Sequence, residues 1–147
     1  DDVFAQYPLA DYPDPGAAAA AVIGHATLAC PSRRAALLLR DAGVETRVYH
    51  FTYPDAGFQL PTERDLGAFH SAEIQYVFGH PSMIGRDRFT GDDRALSEAM
   101  SGLWTRFASG ASIDWPTFDA AETHLRLDRT VEPGAAADAE ACALWDR

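Results

Sequence analysis

The sequence predicts an α/β chain, mostly helices around a few strands, and three stretches carry that expectation. From Val44 to Tyr53, the residues Val44, Thr46, Val48, Tyr49, Phe51 and Tyr53 place β-branched and aromatic side chains on both faces, as in a strand covered on two sides. Thr90 followed by Asp93 reads as a capping box with aspartate in place of glutamate. Behind it Leu96, Met100, Leu103 and Phe107 recur at spacings of four, three and four, which predicts a helix to about Ala108. Gly16 to Leu28 is alanine-rich and helix-prone, and Pro31 suits the first turn of a second helix that stops at Gly43. Those two read as a kinked helix pair.

The remaining elements follow from punctuation by proline and glycine. Residues 1–15 carry Tyr7-Pro8 and Tyr12-Pro13, which disfavour helix, so they read as an extended connector. Thr52 to Phe69 contains Pro54, Gly57, Pro61 and Gly67 and reads as a long irregular loop closed by His70. Ala72 to Phe78 suits a short helix ended by Gly79 and Pro81. Leu125 to Leu127 reads as a brief strand, and Ala135 to Trp145 as a terminal helix with Cys142 and Trp145 on one face. No repeat or inter-domain linker is visible, so residues 1–147 read as a single unit.

Composition excludes several classes of partner. With 47% hydrophobic and 23% charged residues the chain can fill a core, and a net charge of −10 at a pI near 4.7 opposes binding to nucleic acid or anionic lipid. All 12 basic residues are arginine, which reads as coding bias. No apolar run approaches the roughly 18 residues of a membrane span, and Asp1-Asp2 opens no signal segment. A soluble chain that begins within a longer polypeptide is expected.

Cys30 and Cys142 stand 142 − 30 = 112 positions apart with no Cys-x-x-Cys, so no zinc knuckle is expected; a disulfide and two free buried thiols both remain open on the residues alone. Of the histidines, His50 sits in the predicted strand, His124 in a polar turn and His80 after Gly79. None forms His-x-x-x-His or His-Glu-x-x-His, so neither metal nor other cofactor is expected.

The most informative stretch is Gly67-Ala68-Phe69-His70-Ser71-Ala72-Glu73-Ile74-Gln75-Tyr76-Val77-Phe78-Gly79. It resembles the histidine motif of type B carboxylesterases and cholinesterases. Leu28-Ala29-Cys30-Pro31-Ser32-Arg33, Leu103-Trp104-Thr105-Arg106-Phe107-Ala108, Trp115-Pro116-Thr117-Phe118 and Ala141-Cys142-Ala143-Leu144-Trp145 resemble further segments of that family. The resemblance implies the C-terminal portion of an α/β-hydrolase fold, incomplete without upstream sequence. It implies His70 as general base of a Ser-His-Glu/Asp triad acting on small-molecule esters, and a Cys30–Cys142 disulfide, which suits a secreted or periplasmic protein. His25 stands where the resemblance would place aspartate.

Two triad members are missing from these residues. No serine has glycine on both sides as Gly-x-Ser-x-Gly requires, and the resemblance places the acid before anything that matches here. Glu73 reads as a cap or anchor of the short helix, and Asp65 lies in the loop without a motif. The expectation is therefore a piece of a serine carboxylesterase, inactive alone, whose partner is the upstream part carrying the serine and the acid. A silent adhesion domain and an acidic binding module are the competing classes, and a retained histidine disfavours the first.

Overall fold

Asp14 opens the first long helix: its carboxylate accepts from the backbone N–H of Gly16 and Ala17, at 2.6 and 3.0 Å, and Pro15 fills the position where no donor is needed. In this computed structural model, residues 2–54, 56, 66–81 and 89–146 are described. They form two units: Asp1–Arg47 with Thr117–Glu122 and Ala135–Arg147, and Val48–Pro116 with Thr123–Gly134. Each unit is assembled from separated segments of the chain.

The first unit is helical. Helices α1 (Asp2–Gln6), α2 (Pro15–Gly24) and α3 (Cys30–Asp41) are accompanied by a 3-10 turn at Leu9–Asp11 and a short C-terminal helix, here α6, at Ala139–Cys142. The extended connector expected over 1–15 is corrected at α1. The restriction imposed by Pro8 and Pro13 falls on Tyr7 and Tyr12 only, and both lie outside the helices.

Between α2 and α3 runs a π-helical turn, His25–Ala29, rather than a break. Pro31 explains it: in a regular helix the proline ring would collide with the carbonyl of Thr27, and a wider turn directly upstream relieves the clash.

Cys30 and Cys142 are disulfide-bonded and both are buried. Arg33 reinforces the closure, donating to both carboxylate oxygens of Glu122 at 2.6 and 2.5 Å and to Asp146 at 2.8 Å. The Glu122 hydrogen bond holds the guanidinium's pKa above its ordinary value. Trp145 donates its indole N–H to the Tyr7 hydroxyl at 2.9 Å, and that hydroxyl is hydrogen-bonded to Nδ1 of His25 at 3.0 Å. The terminal helix expected over Ala135–Trp145 is shortened to α6, because Ala136 and Asp138 adopt left-handed backbone that a helix cannot continue through.

The second unit holds a three-stranded sheet in the order β1 (Tyr49–Phe51), β2 (Thr123–Leu127), β3 (Val131–Ala135), with β1 parallel to β2 and Tyr49 opposite Leu125. The strand expected over Val44 to Tyr53 is confined to Tyr49–Phe51. Val44 is 49% exposed, so the two-sided burial that its composition suggested is absent at that end. β3 escaped the sequence reading because Pro133-Gly134 reads as a breaker, yet proline is tolerated on an edge strand. Gly134 is needed there: a Cβ would meet Nε2 of His124 at 2.6 Å.

One face of the sheet packs against α4 (Ile74–Phe78) and α5 (Gly91–Ala108). The core joins Tyr53, Ala56, Ala72, Tyr76, Phe89, Leu96, Met100, Trp115, Leu125 and Leu127. Of the predicted helical stripe, Leu96 and Met100 are buried while Phe107 is 57% exposed.

Candidate functional site

His70 occupies a turn immediately before α4 and its side chain is exposed. Ser71 has φ of 74°, a left-handed conformation costly for serine, so the turn needs support from its surroundings. Ala72 anchors it from within: its N–H donates to Phe69 O at 3.0 Å and its side chain is wholly buried.

The support comes from α4 and α5. The Tyr76 hydroxyl donates to Asp93 Oδ1 at 2.9 Å, and the Tyr76 ring stacks on Phe89 with centroids 5.2 Å apart. Asp93 also closes the capping box read from sequence: its Oδ2 accepts from Thr90 N at 2.7 Å and its own N–H donates to Thr90 Oγ1 at 3.3 Å. Ser97 donates to Tyr76 O at 2.8 Å and Ser101 to Val77 O at 2.7 Å, engaging carbonyls at the end of α4. Gly79, at φ of 65°, closes the helix as a left-handed cap.

Asp93→Ala should therefore cost about 3 kcal/mol, because it strands the buried Tyr76 hydroxyl and removes the cap of α5 in one change. Urea unfolding of the variant against Tyr76→Phe, expected to lose only about 1 kcal/mol, checks it. Equal losses in the two would show that Asp93 contributes through Tyr76 alone.

Glu73 does not cap α4 as expected, since no side-chain cap bond forms there. Its carboxylate instead takes the Tyr49 hydroxyl at 3.5 Å. Burial, and then the negative charge of Glu73, hold the Tyr49 phenol above its ordinary pKa. Tyr49 packs edge-on against Trp104, with centroids 5.1 Å apart, so Glu73 faces an aromatic cluster. Asp65 and Ser82 lie outside the described residues. Among the described residues no hydrogen bond or ion pair reaches the His70 ring, and no group of three or more His, Cys, Asp or Glu is placed to hold a metal. No described helix is long and apolar enough to cross a membrane.

His50 and His124 stand on neighbouring strands with rings 5.9 Å apart, and His25 and Asp138 lie 3.6 Å apart in the other unit. No residue pattern or spacing had paired any of these. None of them lies in the turn that carries His70.

Comparison with known proteins places the chain among esterases. Over 132 residues the chain is 29% identical to acetylcholinesterase-1 of Trittame loki, covering 84% of the chain and 23% of that protein. It is 30% identical over 128 residues to carboxylesterase 4A of Bos taurus, covering 83% and 23% respectively. Its structure resembles a carboxylesterase of Geobacillus stearothermophilus, with a TM-score of 0.71 and 16% identity over 99% of this chain and 32% of that one. A thermophilic pNB esterase gives a TM-score of 0.69 and 18% identity over 97% and 30%. The chain thus spans about a quarter of the length of the curated relatives, 23% in both cases above, and carries part of an α/β-hydrolase fold. Residues 4–145 match the Carboxylesterase family, and the chain belongs to it.

Proposed function

We propose that this chain is the histidine-bearing part of a serine carboxylesterase, in which His70 serves as the general acid and base. The observation that supports the reading is the exposure of His70 on a turn whose flanking helix is anchored by the buried Gln75 and Tyr76. A proton-transferring imidazole must reach a reacting group from a fixed base, and ligands of α/β sheets gather beyond strand ends, where the loop leaving β1 leads.

In the whole protein His70 takes the proton of a serine hydroxyl as that oxygen attacks the ester carbonyl, and returns it to the departing alcohol; water then repeats the cycle on the acyl-serine. The serine, the acid that orients the ring and the oxyanion donors come from upstream sequence. Small-molecule carboxylic esters are the substrate class. A secreted or periplasmic location fits the buried Cys30–Cys142 bridge, since such bonds persist in oxidising compartments.

The test compares two proteins with p-nitrophenyl acetate. The full-length protein is expected to turn it over, and the 147-residue chain to do no better than its heat-denatured control. Equal turnover by the isolated chain would mean that a nucleophile lies within it, and no turnover by either would favour a silent interaction domain.

A further inference from the structure

Gln75 lies five positions beyond His70, inside α4, and its side chain is wholly buried. Its amide nitrogen donates twice, to Ala56 O at 3.2 Å and to Ala72 O at 3.3 Å. Ala56 belongs to the segment leaving β1, and Ala72 to the turn that carries His70. The amide therefore joins the turn that carries His70 to the segment leaving β1. Its other half is unmatched: Oε1 has no hydrogen-bond partner among the described residues.

That asymmetry is informative. A buried amide with one atom unsatisfied is worse than an apolar side chain of the same size unless its other atom does something the apolar chain cannot. Methionine or leucine would fill the same volume without the unmatched oxygen. What they could not do is donate two hydrogen bonds to carbonyls that are otherwise 16 positions apart, 72 − 56. The reason for glutamine here lies in its donors, and both act on the frame of the His70 turn, where Ser71 is already held at a positive φ.

We infer that Gln75 is a positioning residue that clips the His70 turn to the segment leaving β1 and so fixes the reach of the imidazole. The inference rests on the esterase reading for its catalytic consequence, but the clip itself is measurable without catalysis. Tyr76 and Asp93 hold α4 to α5; Gln75 is the contact that extends this anchorage back into the turn.

The test uses Gln75→Met, which keeps the volume and removes both donors. In the 147-residue chain, amide exchange at Ala72 and Ile74 is expected to quicken by about tenfold, while Met100 and Leu103 in α5 keep their wild-type rates. In the full-length esterase the same change is expected to lower kcat for p-nitrophenyl acetate by about tenfold or more, with KM held within about twofold. Unchanged exchange in the turn overturns the inference. So does exchange that rises equally in α5, or a variant that does not fold, since either marks Gln75 as a general packing residue. Unchanged kcat beside quickened exchange removes the catalytic consequence and overturns the positioning role. A wild-type protein without turnover is the separate failure of the esterase reading, and the exchange contrast then still decides the clip.

Discussion

His70→Ala in the full-length esterase is expected to lower kcat for p-nitrophenyl acetate by about 10⁴- to 10⁶-fold with little change in KM. In the proposed role the imidazole acts only while protons move, so its loss would remove an interaction of the transition state and leave ground-state contacts with an ester intact. A serine hydroxyl without a base is a poor nucleophile at neutral pH, and none of the other described histidines lies in the turn that carries His70. Glu73 is turned toward Tyr49, and the ring pairs His50–His124 and Tyr7–His25 stand in the sheet and in the helical unit. The backbone of the turn would persist, because the buried residues of this region are Ala72, Gln75 and Tyr76, not His70. An unchanged thermal midpoint should accompany the loss. Activity within about tenfold of wild type would remove His70 from the chemistry.

What could be read from the residues was local, and what could not was long-range. The capping box at Thr90 and Asp93, the helix behind it and the stop at Gly79 are decided within four or five residues, and each stands where the sequence placed it. The histidine turn was visible for the same reason. β1 was overread because alternation reports composition, whereas a strand exists only where a neighbour supplies hydrogen bonds. Leu125 N to Val48 O and Thr52 N to Leu127 O bracket the paired part.

The frame of the site was hidden by the same logic. Asp93 looked like a cap and nothing more, yet it also receives Tyr76 from 17 positions away. Gln75 was read only as one residue of the histidine motif, with no role of its own. Its burial goes with donation to the backbone of Ala56, 19 positions away, which periodicity over five residues cannot express. Glu73 illustrates the converse, since a nearby carboxylate proved to serve an aromatic cluster and not the imidazole.

Removing the bridge by the paired change Cys30→Ala and Cys142→Ala is expected to cost about 4 kcal/mol, and to lower the melting temperature by about 10 °C or more. The link spans 112 positions, so in the chain-entropy view its loss frees most of the unfolded polypeptide, and loops of this size lie near the upper end of the effect. Alanine is the suitable replacement because both sites are buried and a serine hydroxyl would need a partner there. Arg33 and the Trp145–Tyr7 hydrogen bond act across the same pair of chain ends and remain after the substitution, so the native geometry should survive at low temperature. The loss should first appear as faster amide exchange in α6 and α3, while the core around Tyr76, Met100 and Leu127 keeps its protection until global unfolding. Reduction of the wild type without mutation should reproduce the lower midpoint. A midpoint unmoved by both treatments would show that the surrounding ion pairs and packing, not the covalent link, hold the two ends of the helical unit together.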